Sequence, residues 1–81
     1  MNTAARMTAL IRHKEQKRVA LCTRALERWR SAEGLVSARW RAFLTADRES
    51  KPGAFAAYAI ALRAEESAAD ELALVQLGEA A

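Results

Sequence analysis

This 81-residue sequence predicts an all-α fold, an antiparallel two-helix hairpin of coiled-coil type with a long first helix. Three observations predict it. Alanine supplies 20 residues, glycine and proline together only four, and aromatic side chains five; sheets want β-branched and aromatic residues between frequent turns, and this composition offers neither. A single segment, Asp47-Arg48-Glu49-Ser50-Lys51-Pro52-Gly53, carries the polar run and the proline needed to break a helix. Upstream of it, apolar residues recur at alternating spacings of three and four, the period of a helix seam. At 52% hydrophobic residues the chain is too apolar for a disordered tail. At 8.9 kDa it is one domain, 1–81.

The first helix is expected over about 3–47, with Asn2 or Thr3 as N-cap. Its seam is Val19, Cys22, Leu26, Trp29, (Glu33), Val36, Trp40 and Phe43. Ala25, Ala32, Ala42, Leu21 and Leu35 flank that seam and widen it beyond a two-stranded zipper, toward a packed hairpin. Ile11 lies eight positions before Val19, so the register slips between them. Glu33 sits on the seam, and Gly34 costs about 1 kcal/mol relative to alanine inside a helix. The pair marks a weak point, a bend or a close helix–helix approach, and the alternative architecture is three helices broken at Gly34.

The turn is expected over about 48–52, with Ser50 capping the next helix and Pro52 in its first turn. The second helix is expected over about 53–77, stopped by Gly78 as a C′ residue. Its seam is Phe55, Tyr58, Leu62, (Glu65), Ala69 and Leu72, with Val75 beside it and alanines on both flanks. The expected hairpin core is therefore Leu26, Trp29, Val36, Trp40 and Phe43 against Phe55, Tyr58, Leu62 and Leu72.

At about 1.5 Å per residue the second helix is long enough to cover only about residues 21–47 of the first. The N-terminal part, with Arg6, Arg12, Lys14, Lys17 and Arg18, has no counterpart in the chain. Charge is divided the same way: residues 1–48 hold 11 Lys/Arg against 4 Asp/Glu, and residues 49–81 hold 2 against 6. These five basic residues are the expected partner-binding set, facing an acidic protein surface. Self-pairing in a homo-oligomer is the plainer way to cover the same segment, and makes a self-associating coiled-coil adaptor an alternative function.

Nothing in the sequence has the form of catalytic machinery. His13 and Cys22 stand alone, so no metal or cofactor is expected, and a lone cysteine has no internal disulfide partner. No phosphate loop, nucleophile elbow or zinc spacing occurs. The expectation is a non-enzyme. Arg-Trp-Arg occurs at 28–30 and 39–41, eleven residues apart, which places Trp29 and Trp40 on one face. Those rings suit the core; an aromatic, basic surface for nucleic acid is the competing use. The sequence pI near 9.6 keeps a small basic nucleic-acid-binding protein as the alternative. Against it, the basic residues look spread around the helix and no recognition signature is present. No stretch has the length and apolarity of a membrane span, and Arg6 and Arg12 interrupt any secretory core, so a cytoplasmic location is expected.

The segments Leu10-Ile11-Arg12-x-Lys14-x-x-x-Arg18 and Ser50-Lys51-Pro52-Gly53, leading into Phe55-x-x-Tyr58-x-x-x-Leu62-x-x-x-Glu66, make the chain resemble the FliJ/YscO family. These are the cytoplasmic stalk proteins of flagellar and injectisome type III secretion. The resemblance implies a coiled-coil hairpin whose tip enters the pore of a hexameric secretion ATPase, linking it to the export gate and to substrate chaperones. Carried onto this sequence, the inserted element is the segment holding Arg6, Arg12, Lys14, Lys17 and Arg18.

Overall fold

A computed structural model describes residues 2–80 and contains two helices in antiparallel contact, with no strand among the described residues. The first, α1, spans Thr3–Thr45 and the second, α2, spans Lys51–Ala80. The molecule is a rod of 72 × 17 × 12 Å.

Asn2 caps α1. Its side-chain oxygen accepts from the Ala4 N–H at 3.1 Å, and its carbonyl accepts from Arg6 at 3.3 Å. α1 then runs unbroken through Gly34, so the three-helix alternative is set aside. A Cβ built at Gly34 meets nothing within 4 Å, which also removes the close helix–helix approach. A single glycine penalty is small beside the packing that holds the turns on either side.

The turn is built differently from the expectation. α1 ends at Thr45, two residues early, where the Thr45 hydroxyl donates back to the Arg41 carbonyl at 3.1 Å. Asp47, not Ser50, supplies the capping side chain for the next helix. Its Oδ1 accepts from the Ser50 N–H at 2.8 Å, and its carbonyl accepts from Lys51 at 3.0 Å. The Ser50 N–H first, then the Ser50 hydroxyl and the Glu49 N–H, hold the Asp47 carboxyl below its ordinary value. Lys51 reaches back over the end of α1: its Nζ donates to the Phe43 carbonyl at 3.4 Å and lies 4.9 Å from the centre of the Phe43 ring. A cation there suits the negative end of α1. Gly78 does not stop α2, which continues to Ala80 with no glycine in a positive-φ conformation among the described residues.

The seam is closed by alanine at two points. Ala25 and Ala61 are the buried residues, 1% and 3% exposed, their methyl groups wholly covered by the larger side chains around them. Around them Leu26, Trp29, Val36, Phe43, Tyr58, Leu62 and Leu72 are half-buried. Trp40 and Phe55, expected in the core, sit at its edge with 41% and 53% of their surface exposed, since a two-helix layer has nothing to close its sides. Both still join the aromatic cluster near the turn. Trp40 stacks at 5.0 Å on Tyr58 and 5.4 Å on Phe43, and Phe55 lies 5.7 Å from Phe43.

Candidate protein-docking surface

The aromatic pairs fix the register of the hairpin. Phe43 faces Phe55 and Trp40 faces Tyr58. Further from the turn the Trp29 indole donates to Glu65 Oε1 at 2.8 Å, and Arg28 pairs with Glu71 at 2.6 Å. Carrying that register along, Leu77 comes level with Leu21. Burial agrees: every described residue from Asn2 to Leu21 is exposed, and Cys22 is the first that is not. The overhang of α1, residues 3–20, is an exposed helix roughly 27 Å long, and from Lys17 to its start no described element lies beside it.

Arg6, Arg12, Lys14, Lys17 and Arg18 all lie on this overhang and all are exposed. Glu15 is its only acidic residue. The structure does not gather the five into one cluster. Lys14 and Arg18 fall in the row Ala4, Met7, Ile11, Lys14, Arg18, whose spacings of three and four prolong the face that α2 covers further along. Arg6 and Lys17 belong to a second row with Arg24, Arg28 and Arg39, at spacings of 11, 7, 4 and 11, each close to whole turns. Half of the basic residues of α1 thus share one flank, which the residue-by-residue reading missed. Arg12 lies on the opposite flank.

Large apolar side chains accompany the charges. Met7, Leu10, Ile11 and Val19 are 54–63% exposed. A hollow lined by Arg12, Glu15, Gln16, Val19 and Ala20 has walls from α1 alone, so it cannot enclose a substrate. A groove of about 260 Å³ between the helices, lined by Leu35, Arg39, Ala57, Ile60, Ala61 and Ala64, has walls from both. It holds a single ionisable group and no nucleophile. Among the described residues no three His, Cys, Asp or Glu are placed to hold a metal ion, and no helix is long and apolar enough to cross a membrane. What the arrangement offers chemically is an exposed, cationic, amphipathic helix rooted in a rigid hairpin.

The two glutamates placed on the seams, Glu33 and Glu65, divide here. Glu65 accepts the Trp29 indole N–H, so a carboxylate on the seam satisfies the polar edge of a half-buried ring. Glu33 stays exposed. Comparison with protein-family models finds no match, and neither the curated proteins nor the solved structures yield a significant one.

Proposed function

We propose that this protein is a non-enzymatic interaction protein whose basic N-terminal helix docks an acidic protein surface. The observation that carries the reading is the overhang: five Lys/Arg side chains and four large apolar ones on a helix that its own chain leaves uncovered. A helix of 18 residues is marginal in water by itself, and a partner that covers it gains both its apolar area and its charge. The resemblance to FliJ/YscO stalks gives the narrower form. In that form the chain is a cytoplasmic stalk or escort of type III secretion, its overhang enters the ATPase ring, and its hairpin meets the export gate or chaperones.

The test is stimulation and assembly of the type III secretion ATPase of the same organism, with Lys14→Glu, Lys17→Glu and Arg18→Glu combined in a second preparation. Stimulation by the parent chain, lost in the variant while the hairpin melts unchanged, is the expected result. No stimulation well above micromolar concentration removes the secretion stalk from consideration.

The row Arg6, Lys17, Arg24, Arg28 and Arg39 favours a second reading, in which one basic flank lies along a nucleic-acid backbone. Salt separates the two. Binding through phosphates falls log-linearly with salt, with a slope near −0.9 per phosphate contacted on duplex DNA. Docking through Met7, Leu10 and Ile11 keeps most of its affinity.

A further inference from the structure

We propose that the overhang of α1 is covered by a second copy of this chain, lying along the outer face of that copy's α2 in an offset, antiparallel dimer.

The first argument comes from α2. A helix with one covered face normally shows a polar opposite face, and one apolar all round is normally buried all round. α2 meets α1 on one side only, yet Ile60, Leu74 and Leu77 on its other sides are 62%, 69% and 65% exposed. The second argument is area. The chain exposes 6475 Å², whereas a compact monomer of 8.9 kDa exposes about 4,800 Å². The difference is about twice the roughly 800 Å² that each partner buries in a standard interface.

Charge and length choose the occupant. On α2 the four acids Glu65, Glu66, Asp70 and Glu71 fall within seven residues with no base among them. Glu65 is engaged by Trp29 and Glu71 by Arg28; Glu66 and Asp70 are exposed and form no ion pair among the described residues. They share the outer side of α2 with Leu74 and Leu77. Two copies related by a two-fold axis at the root of the overhang put each overhang beside the other copy's α2. Measured from that root by helical rise, Lys14 stands at roughly 10 Å and Asp70 of the other copy at roughly 11 Å. Arg12 stands at roughly 13 Å against roughly 17 Å for Glu66, and Ala4 reaches roughly 25 Å, level with Ile60. Within the row Ala4, Met7, Ile11, Lys14, Arg18, the pairing thus sets Lys14 against Asp70 and Ala4 against Ile60, with Glu66 close to Ile11 and Arg12; Met7 comes level with Arg63, the one base on that side of α2. The remaining flank of the hairpin, edged by Arg28 and Arg39, repels the overhang instead. Each half of such a dimer is three helices in cross-section, and neither overhang is left bare.

The experiment uses the native chain. Sedimentation from roughly micromolar to several hundred micromolar is expected to show a monomer–dimer equilibrium reaching about twice 8.9 kDa. Zero-length carbodiimide coupling within the dimer band is expected to join Lys14 or Lys17 to Glu66 or Asp70. Within one chain these groups are roughly 16–27 Å apart along the rod by helical rise, beyond direct coupling, so the link reports the second copy. Combining Lys14→Glu with Lys17→Glu is expected to weaken self-association about tenfold. Mixing that variant with one carrying Glu66→Lys and Asp70→Lys is expected to restore the mixed dimer. A chain monomeric at several hundred micromolar overturns the proposal. So does a dimer without those cross-links and without rescue. A monomer that still binds an acidic partner through the overhang retires the second copy and leaves the docking function standing.

Discussion

α1 is one continuous helix with two different lives. From Cys22 to Thr45 it lies against α2, and its seam is filled by Ala25, Trp29, Val36 and Phe43. From Thr3 to Leu21 the same face runs on, but carries Ala4, Met7, Ile11, Lys14 and Arg18, all exposed. The periodicity is common to both halves; the kind of side chain on it is not. Aromatics and alanines interlock with a neighbour at fixed distance, whereas the unbranched side chains of Met, Lys and Arg can adjust to surfaces of different shape. The difference teaches that one continuous seam carries two kinds of side chain: interlocking ones where α2 covers it, and long apolar and cationic ones where it is exposed.

The sharpest way to break this comparison is at Trp29, the half-buried ring tied to Glu65. Trp29→Ala is expected to cost about 3 kcal/mol, the lower end for a large aromatic because the site is not fully enclosed. Trp40→Ala is expected to cost less, about 2 kcal/mol, because 41% of that ring already faces solvent. Chemical denaturation of both variants checks the order. Equal losses, or a larger one at Trp40, would mean that the cluster beside the turn, not the middle of the seam, holds the hairpin together.

Much of this was legible in the sequence, and its errors have physical reasons. Two helices, one break and a long first element follow from alanine content, seam spacing and a lone proline. The overhang follows from comparing lengths. The core was misjudged in a particular way: Trp40 and Phe55 were placed inside by size, while Ala25 and Ala61, taken for flanks, proved to be the buried pair. Periodicity ranks positions by hydrophobicity, but in a two-helix layer the side chains wholly covered by larger neighbours are the small ones. Ser50 and Asp47 are both good caps by type, and only the geometry of the turn chooses the carboxylate. The basic flank went unseen because its spacings of 11, 7, 4 and 11 show a common face only when laid on a real helix.

Gly34 sharpens the comparison at a smaller scale. It lies in the covered half, yet a Cβ there meets nothing within 4 Å. Gly34→Ala is therefore expected to stabilise the chain by about 1 kcal/mol, through backbone entropy alone. A higher midpoint of thermal unfolding, with unchanged association behaviour, is the expected result. Destabilisation, or a lost dimer, would show that a second chain approaches the backbone at this point.

The smallest effect concerns the turn that joins the two helices. Asp47 accepts from the Ser50 N–H at 2.8 Å, and this bond, with the Ser50 hydroxyl and the Glu49 N–H, lowers its pKa from 3.8. A carboxylate held below its ordinary value binds its proton less readily when folded than when unfolded. Its contribution is complete above the unfolded-state value and is lost as pH falls through the lower folded one. Asp47→Asn keeps an acceptor oxygen for the Ser50 N–H, and asparagine caps about as well as aspartate. At neutral pH the variant should therefore melt within a small margin of the parent. On acidification from pH 5 to about 3 the parent should lose stability faster, because only it has this carboxylate to protonate. Asp47→Ala, which removes the acceptor, should melt lower than both at neutral pH. The difference between Asn and parent is the reading that matters, since every other carboxylate is common to the two chains. Parallel melting curves across that range would show that the cap acts through its shape and not its charge, leaving the turn insensitive to acid.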